Sequence, residues 1–146
     1  MKFYNWLNEL FDTDVEIEKS ESLDFCTYTF KVDEKWYQME MTKDYDHWSL
    51  LFMDQLGRIS ITGDTGIQAA KVFSGVVKSV KMFVRNMNPK ILYFTAKESS
   101  RKKLYDKFAE MIEKQTKMKQ VKHDVLIKSF TEKMNIKEKL YLFWAK

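Results

Sequence analysis

The chain of 146 residues has one cysteine, one proline, four glycines and two histidines, so it is poor in the residues that cross-link, punctuate or ligate. Cys26 stands alone and forms no intrachain disulfide; the alternating run Asp24-Phe25-Cys26-Thr27-Tyr28 places it on a strand. One cysteine with His47 and His123 cannot supply the four ligands of a structural zinc site. The sequence thus implies a reducing compartment and no structural metal. So few glycines and prolines leave no flexible linker or low-complexity tail, and with no internal repeat the length fits one domain. No apolar run approaches the ~18 residues that suggest a membrane span, and the first residues lack the basic start and apolar core of a signal peptide. These absences predict a cytosolic protein without a membrane partner.

What is present is core material and segregated charge. The chain is 45% hydrophobic and 15% aromatic, enough to bury a core. Its formal charge of +4 conceals an asymmetry. Residues 1–66 carry six Lys/Arg against fourteen Asp/Glu, a net of −8, whereas residues 67–96 carry five basic residues and no acid, and residues 97–146 fourteen against seven. An acidic first part and a basic second part point to an anionic partner, or to neutralisation inside the fold.

Period divides the chain in the same place. Phe3, Leu7, Leu10 and Phe11 predict a short amphipathic helix over residues 1–12. From Val15 to about Thr62 the period is two: a hairpin turns at Asp33-Glu34, and a second, of strands 47–53 and 58–61, turns at Asp54-Gln55-Leu56-Gly57. After Thr62-Gly63-Asp64-Thr65-Gly66 the spacing of Ala69, Phe73, Val76, Val77, Val80, Val84 and Met87 predicts a helix over 67–87 that Asn88-Pro89 stops. A strand over 91–96 follows, then a helix that Ser99 or Ser100 caps, with Leu104, Phe108, Met111 and Ile112 on its apolar face. Residues 121–130 fit no single period, 133–139 form a turn, and 140–144 form the last strand. The expected fold is a single α+β domain, an antiparallel β meander followed by helix-strand-helix and a final strand.

Two features could carry chemistry. At the strand-to-helix junction, Gly63 and Gly66 would let an anion approach the backbone at a helix N-terminus, although Asp64 opposes one, and a simple turn with a helix cap explains the same residues. On the acid-free helix, Lys71, Lys78, Lys81 and Arg85 fall within roughly 80° of one another around the axis and make one basic stripe. Arg101-Lys102-Lys103 and Lys107 add to the same field. Such a stripe is either a solvated face or a contact for phosphates, nucleic acid or an acidic protein surface. Tyr105 is a packing residue or a general acid. His47 and His123 are expected at the surface.

Thr62-Gly63-Asp64-Thr65-Gly66, Lys71-Val72-Phe73, Pro89-Lys90-Ile91, Phe94-Thr95-Ala96 and Ser100-Arg101-Lys102-Lys103-Leu104-Tyr105 together resemble a family of small, functionally uncharacterised proteins common in tailed bacteriophages. Leu7-Asn8-Glu9-Leu10-Phe11-Asp12 resembles the opening helix of the same family. The order of meander, loop, helix, strand and a helix bearing Leu104-Tyr105-Asp106-Lys107 is similar to the GNAT acetyltransferase superfamily. That resemblance implies a GNAT-like fold in which Gly63, Thr65, Gly66 and Gln68 would cradle the pyrophosphate of acetyl-CoA and Tyr105 would be the general acid. The superfamily's Arg or Gln before the glycine loop is Ser60 here, its second small loop residue is Thr65, and its closing Gly-Phe is Phe108-Ala109. The resemblance and the degenerate loop imply a phage accessory protein without catalysis, placed in the host cytoplasm. It would engage a host or virion protein, or an anionic ligand such as nucleic acid, through Lys71, Lys78, Lys81, Arg85 and Arg101. The alternative is an acyl-CoA-dependent N-acetyltransferase.

Overall fold

The computed structural model of the chain describes residues 15–54, 67–96 and 102–145. The expected opening helix, the turn beyond Asp54, the strand over 58–61, the glycine junction and the Ser99/Ser100 cap lie outside the described residues.

Alternating apolar residues give the first four strands, β1 (Glu18–Glu21), β2 (Phe25–Val32), β3 (Lys35–Asp44) and β4 (His47–Asp54), each antiparallel to the next. The β2–β3 turn has both central residues at positive φ, Asp33 at 49° and Glu34 at 68°, the twist that two-residue hairpins favour. Tyr45, at φ 60°, turns β3 into β4. Helix α1 spans Ile67–Met87, as the apolar spacing predicts. It ends where Asn88 takes φ 51° and donates its N–H to the Val84 carbonyl at 3.1 Å, with Pro89 next. Then come β5 (Ile91–Ala96), α2 (Lys102–Gln115), β6 (Met118–Gln120), α3 (Asp124–Lys133) and β7 (Lys139–Ala145).

The seven strands form one sheet in the order β1-β2-β3-β4-β5-β7-β6, antiparallel except for the step from β4 to β5. The expectation of an α+β fold holds, with two additions. Residues 121–130, which fit no single period, mostly belong to α3, and a short β6 precedes it. Helix α3 buries none of its residues and β6 has three, so neither leaves a sustained apolar period. No described helix is long and apolar enough to cross a membrane.

One face of the sheet carries the main core. Tyr28, Phe30, Met39 and Met41 from the meander and Leu92, Phe94, Tyr141 and Phe143 from the other strands pack against Val76, Val80 and Phe83 of α1 and Phe108 and Ile112 of α2. Alternation puts His47 and Tyr93 on the opposite face, where both rings meet Phe130 of α3. Helix α1 comes close against the sheet at Gly75, where an added Cβ would overlap the fully buried Phe30 ring. Phe30 is itself stacked on Tyr37 at 5.7 Å, so it has no room to yield.

Gly75→Ala should therefore lose up to about 2 kcal/mol net, an overpacking cost of about 1–3 kcal/mol set against the roughly 1 kcal/mol better helix propensity of alanine. Urea unfolding would measure it, and adding Phe30→Leu should recover part of the loss through a non-additive cycle.

Candidate functional site

The feature that could receive a ligand arises from strand pairing. β4 and β5 run parallel and pair only at His47 with Ile91, Trp48 with Leu92 and Ser49 with Tyr93. Beyond those pairs β4 stays registered with β3 as far as Asp54, and β5 stays registered with β7 as far as Ala96. The two strands part, each held by its outer neighbour, and no ladder joins 50–54 to 94–96. Facing strand edges that do not bond to one another are where a backbone-recognised ligand can insert.

Aromatic rings pack beneath the β5 side of this opening. Phe94 stacks on Tyr141 at 4.7 Å and 8°, and Tyr105, on the first turn of α2, lies 6.3 Å from Phe94 and 6.4 Å from Tyr141. Tyr105 is buried and Leu104 half-buried, whereas the sequence placed Leu104 on the apolar face and Tyr105 beside it. The Tyr141 hydroxyl donates to Asp106 Oδ1 at 2.5 Å. Burial first, then this bond to a carboxylate, raise the Tyr141 hydroxyl above its ordinary range and keep it neutral. The sequence shows Tyr141 only as one apolar position in a strand, with nothing to link it to Asp106.

Helix α1 begins at Ile67, directly after the glycine junction, and has no acidic residue in its first turn. Gly63, Thr65 and Gly66 lie outside the described residues, as do Arg101 and the Gln68 side chain.

No protein-family model, curated protein or solved structure matches the chain.

The basic stripe divides along α1. Lys71 is half-buried and lines a cleft of about 420 Å³ whose other charged residues are Glu16, Glu18, Lys31 and Asp33. Lys78 is half-buried, and Lys81 and Arg85 are exposed. One end of the stripe thus meets the acidic meander and the other reaches solvent. Asn86, next to Arg85, donates to Glu21 Oε2 of β1 at 3.0 Å.

His47 departs from its expected surface position: it is 5% exposed, its Nε2 has no hydrogen-bond partner, and its ring lies against Tyr93 and Phe130. The sequence could not place it, because α3 covers it from eighty residues away. His123 is exposed, as expected. Among the described residues no group of three His, Cys, Asp or Glu could hold a metal ion.

The Glu21 contact yields a pH dependence. Burial raises the Glu21 carboxyl, but hydrogen bonds from Tyr28 (2.5 Å), Asn86 and Lys19 outweigh it and hold the group below its ordinary value of 4.5. A carboxylate depressed on folding stabilises above its unfolded value, and that stability is lost as pH falls through the folded one. Urea midpoints collected downward from about pH 5 should fall faster for the native chain than for Glu21→Gln; parallel slopes would remove Glu21 as the cause.

Proposed function

We propose that this protein is a phage accessory protein of GNAT-like fold that takes an anionic ligand of the acyl-CoA class where β4 and β5 part, and that it acts by binding rather than catalysis. The observation that carries the reading is the parallel pair that ends after three residues while both strands continue. Such an opening suits an extended, amide-bearing arm that bonds to the strand edges. A first helical turn without acidic residues, fed by two glycines that flank Asp64 and Thr65, suits the phosphates at the other end of such a ligand, with Asp64 the one opposing charge in the junction.

The element order supports the GNAT-like part of the reading: meander, α1, β5 and α2 follow one another as in the resemblance. The phage assignment rests on the sequence resemblance alone. Binding without turnover is favoured because Tyr105 is 5% exposed and packed between rings, and because Ser60 and Thr65 replace loop residues of the acetyltransferase pattern. The exposed end of the stripe, Lys81 and Arg85, is the part of α1 available to a host or virion protein.

Titration with coenzyme A and acetyl-CoA should raise Tm saturably, leave the acetyl group on the ligand in the presence of amine acceptors, and weaken as salt screens the phosphate contacts. Absence of any shift at millimolar ligand would sink the ligand reading. The second reading, acetyl transfer, is favoured by one placement, Tyr105 against Phe94 in the part of β5 beyond the parallel pairs. If Tyr105 is a general acid, Tyr105→Phe lowers turnover by about 10²-fold or more; under the binding reading there is no turnover to lower.

A further inference from the structure

On the face of the sheet opposite the main core, α3 stands off β7 and leaves a cleft of about 520 Å³, in the range of small-molecule sites. Leu126 and Phe130 of α3 form one wall, Leu142 and Trp144 of β7 the other, and Lys122 and Lys133 stand at opposite ends. Among the described residues no acidic side chain lines it. Leu126 and Phe130, four residues apart, share one face of α3, and that face is turned into the cleft with Lys133 one turn beyond. It is left uncovered: α3 has no buried residue, Leu126 is 56% exposed and Trp144 55%.

The walls are nonetheless fixed. The Val121 N–H bonds to the Leu142 carbonyl at 2.8 Å, which ties the entry of α3 to β7. At the far end the helix is closed on itself, the Met134 N–H bonding to the Phe130 carbonyl at 3.0 Å and the Ile136 N–H to the Thr131 carbonyl at 2.9 Å. Phe130 is anchored edge-on against Tyr93 at 5.1 Å and His47 at 5.5 Å. A held-open apolar cleft with cationic ends is a preformed site, not a gap that collapse would close.

The geometry points to a binding site for a small monoanion with an apolar body, an aliphatic or aromatic carboxylate, whose body lies between Leu126 and Trp144 and whose head meets Lys122 or Lys133. Charge decides against a second copy of the chain on this face, because a symmetric contact would bring Lys122 and Lys133 of two copies together.

The test titrates the full chain with decanoate and with decyltrimethylammonium, both below their micellar concentrations, by calorimetry and tryptophan fluorescence. Decanoate should bind saturably at one molecule per chain, about tenfold or more tighter than the cation, the equivalent of about 1.4 kcal/mol. The doubly substituted Lys122→Ala, Lys133→Ala chain should lose about tenfold in decanoate affinity. Leu126→Glu, at an exposed position that leaves folding intact by circular dichroism, should abolish binding, and Trp144→Phe should remove the fluorescence response. Equal affinity for anion and cation, undiminished binding in Leu126→Glu, or no saturable binding would overturn the proposal. So would a dimer in sedimentation velocity that Leu126→Glu dissolves and decanoate does not. Because Leu126 is on α3 and on neither strand of the opening, coenzyme A stabilisation that persists in Leu126→Glu separates the two readings.

Discussion

Strands that run in the same direction cannot be joined by a turn, and the single parallel step from β4 to β5 governs much of this molecule. The chain must cross the sheet to begin β5, and the 21 residues of α1 are part of that crossing. The crossing helix braces the paired end of the two strands: Phe83 packs edge-on against Trp48 at 4.9 Å, and Trp48 is the middle partner of the three pairs. Farther along, β5 has a stronger attachment elsewhere. It pairs with β7 at six positions, and Phe94 stacks on Tyr141 across that ladder. β5 thus follows β7 while β4 follows β3, and the strands separate without any break in either.

The two faces of the sheet consequently differ in kind. One is filled by α1 and α2, with a helix glycine close against a buried ring. The other combines a half-buried polar surface on the meander, where Thr29 and Gln38 pair across strands, with an apolar strip on β5 and β7 under α3. A helix joined to the sheet mainly through Phe130 and its end connections can stand clear of it, and that is why a cleft survives there. His47 belongs to this arrangement: its ring gives Phe130 a surface to pack on, at the expense of an unpartnered Nε2.

The sequence was most legible where one period ran long. Period two marked the strands from Phe25 to Met53, and the acid-free apolar spacing marked both ends of α1 because Gly66 and Asn88-Pro89 bracket it. Legibility failed where structure depends on distant partners. Three-residue β6 and the unburied α3 have no period to detect. Tyr105 read as a packing residue or a general acid, and nothing local shows that Phe94 and Tyr141 enclose it. The parting of β4 from β5 was invisible for a related reason: each strand reads as an ordinary half-buried strand, and only the register shows that they cease to face each other.

Charge can be followed the same way. The acidic meander and the basic α1 adjoin along the β1 side, where Lys71 shares a cleft with Glu16, Glu18 and Asp33 and Asn86 bonds Glu21. The segregation in the sequence is thus partly resolved inside the fold. From Lys117 to Lys139 the chain places seven lysines against three acids, a net of +4 that equals the formal charge of the whole. That segment contains β6 and α3, and β6 is the sheet edge opposite β1. Excess positive charge therefore accumulates at the edge farthest from the acidic strands, beside the face of α3 that Leu126 and Phe130 turn to the cleft. A field of that sign draws anions toward the same place where an apolar body gains most from burial. Neither property alone would select a ligand class, but their coincidence at α3 does.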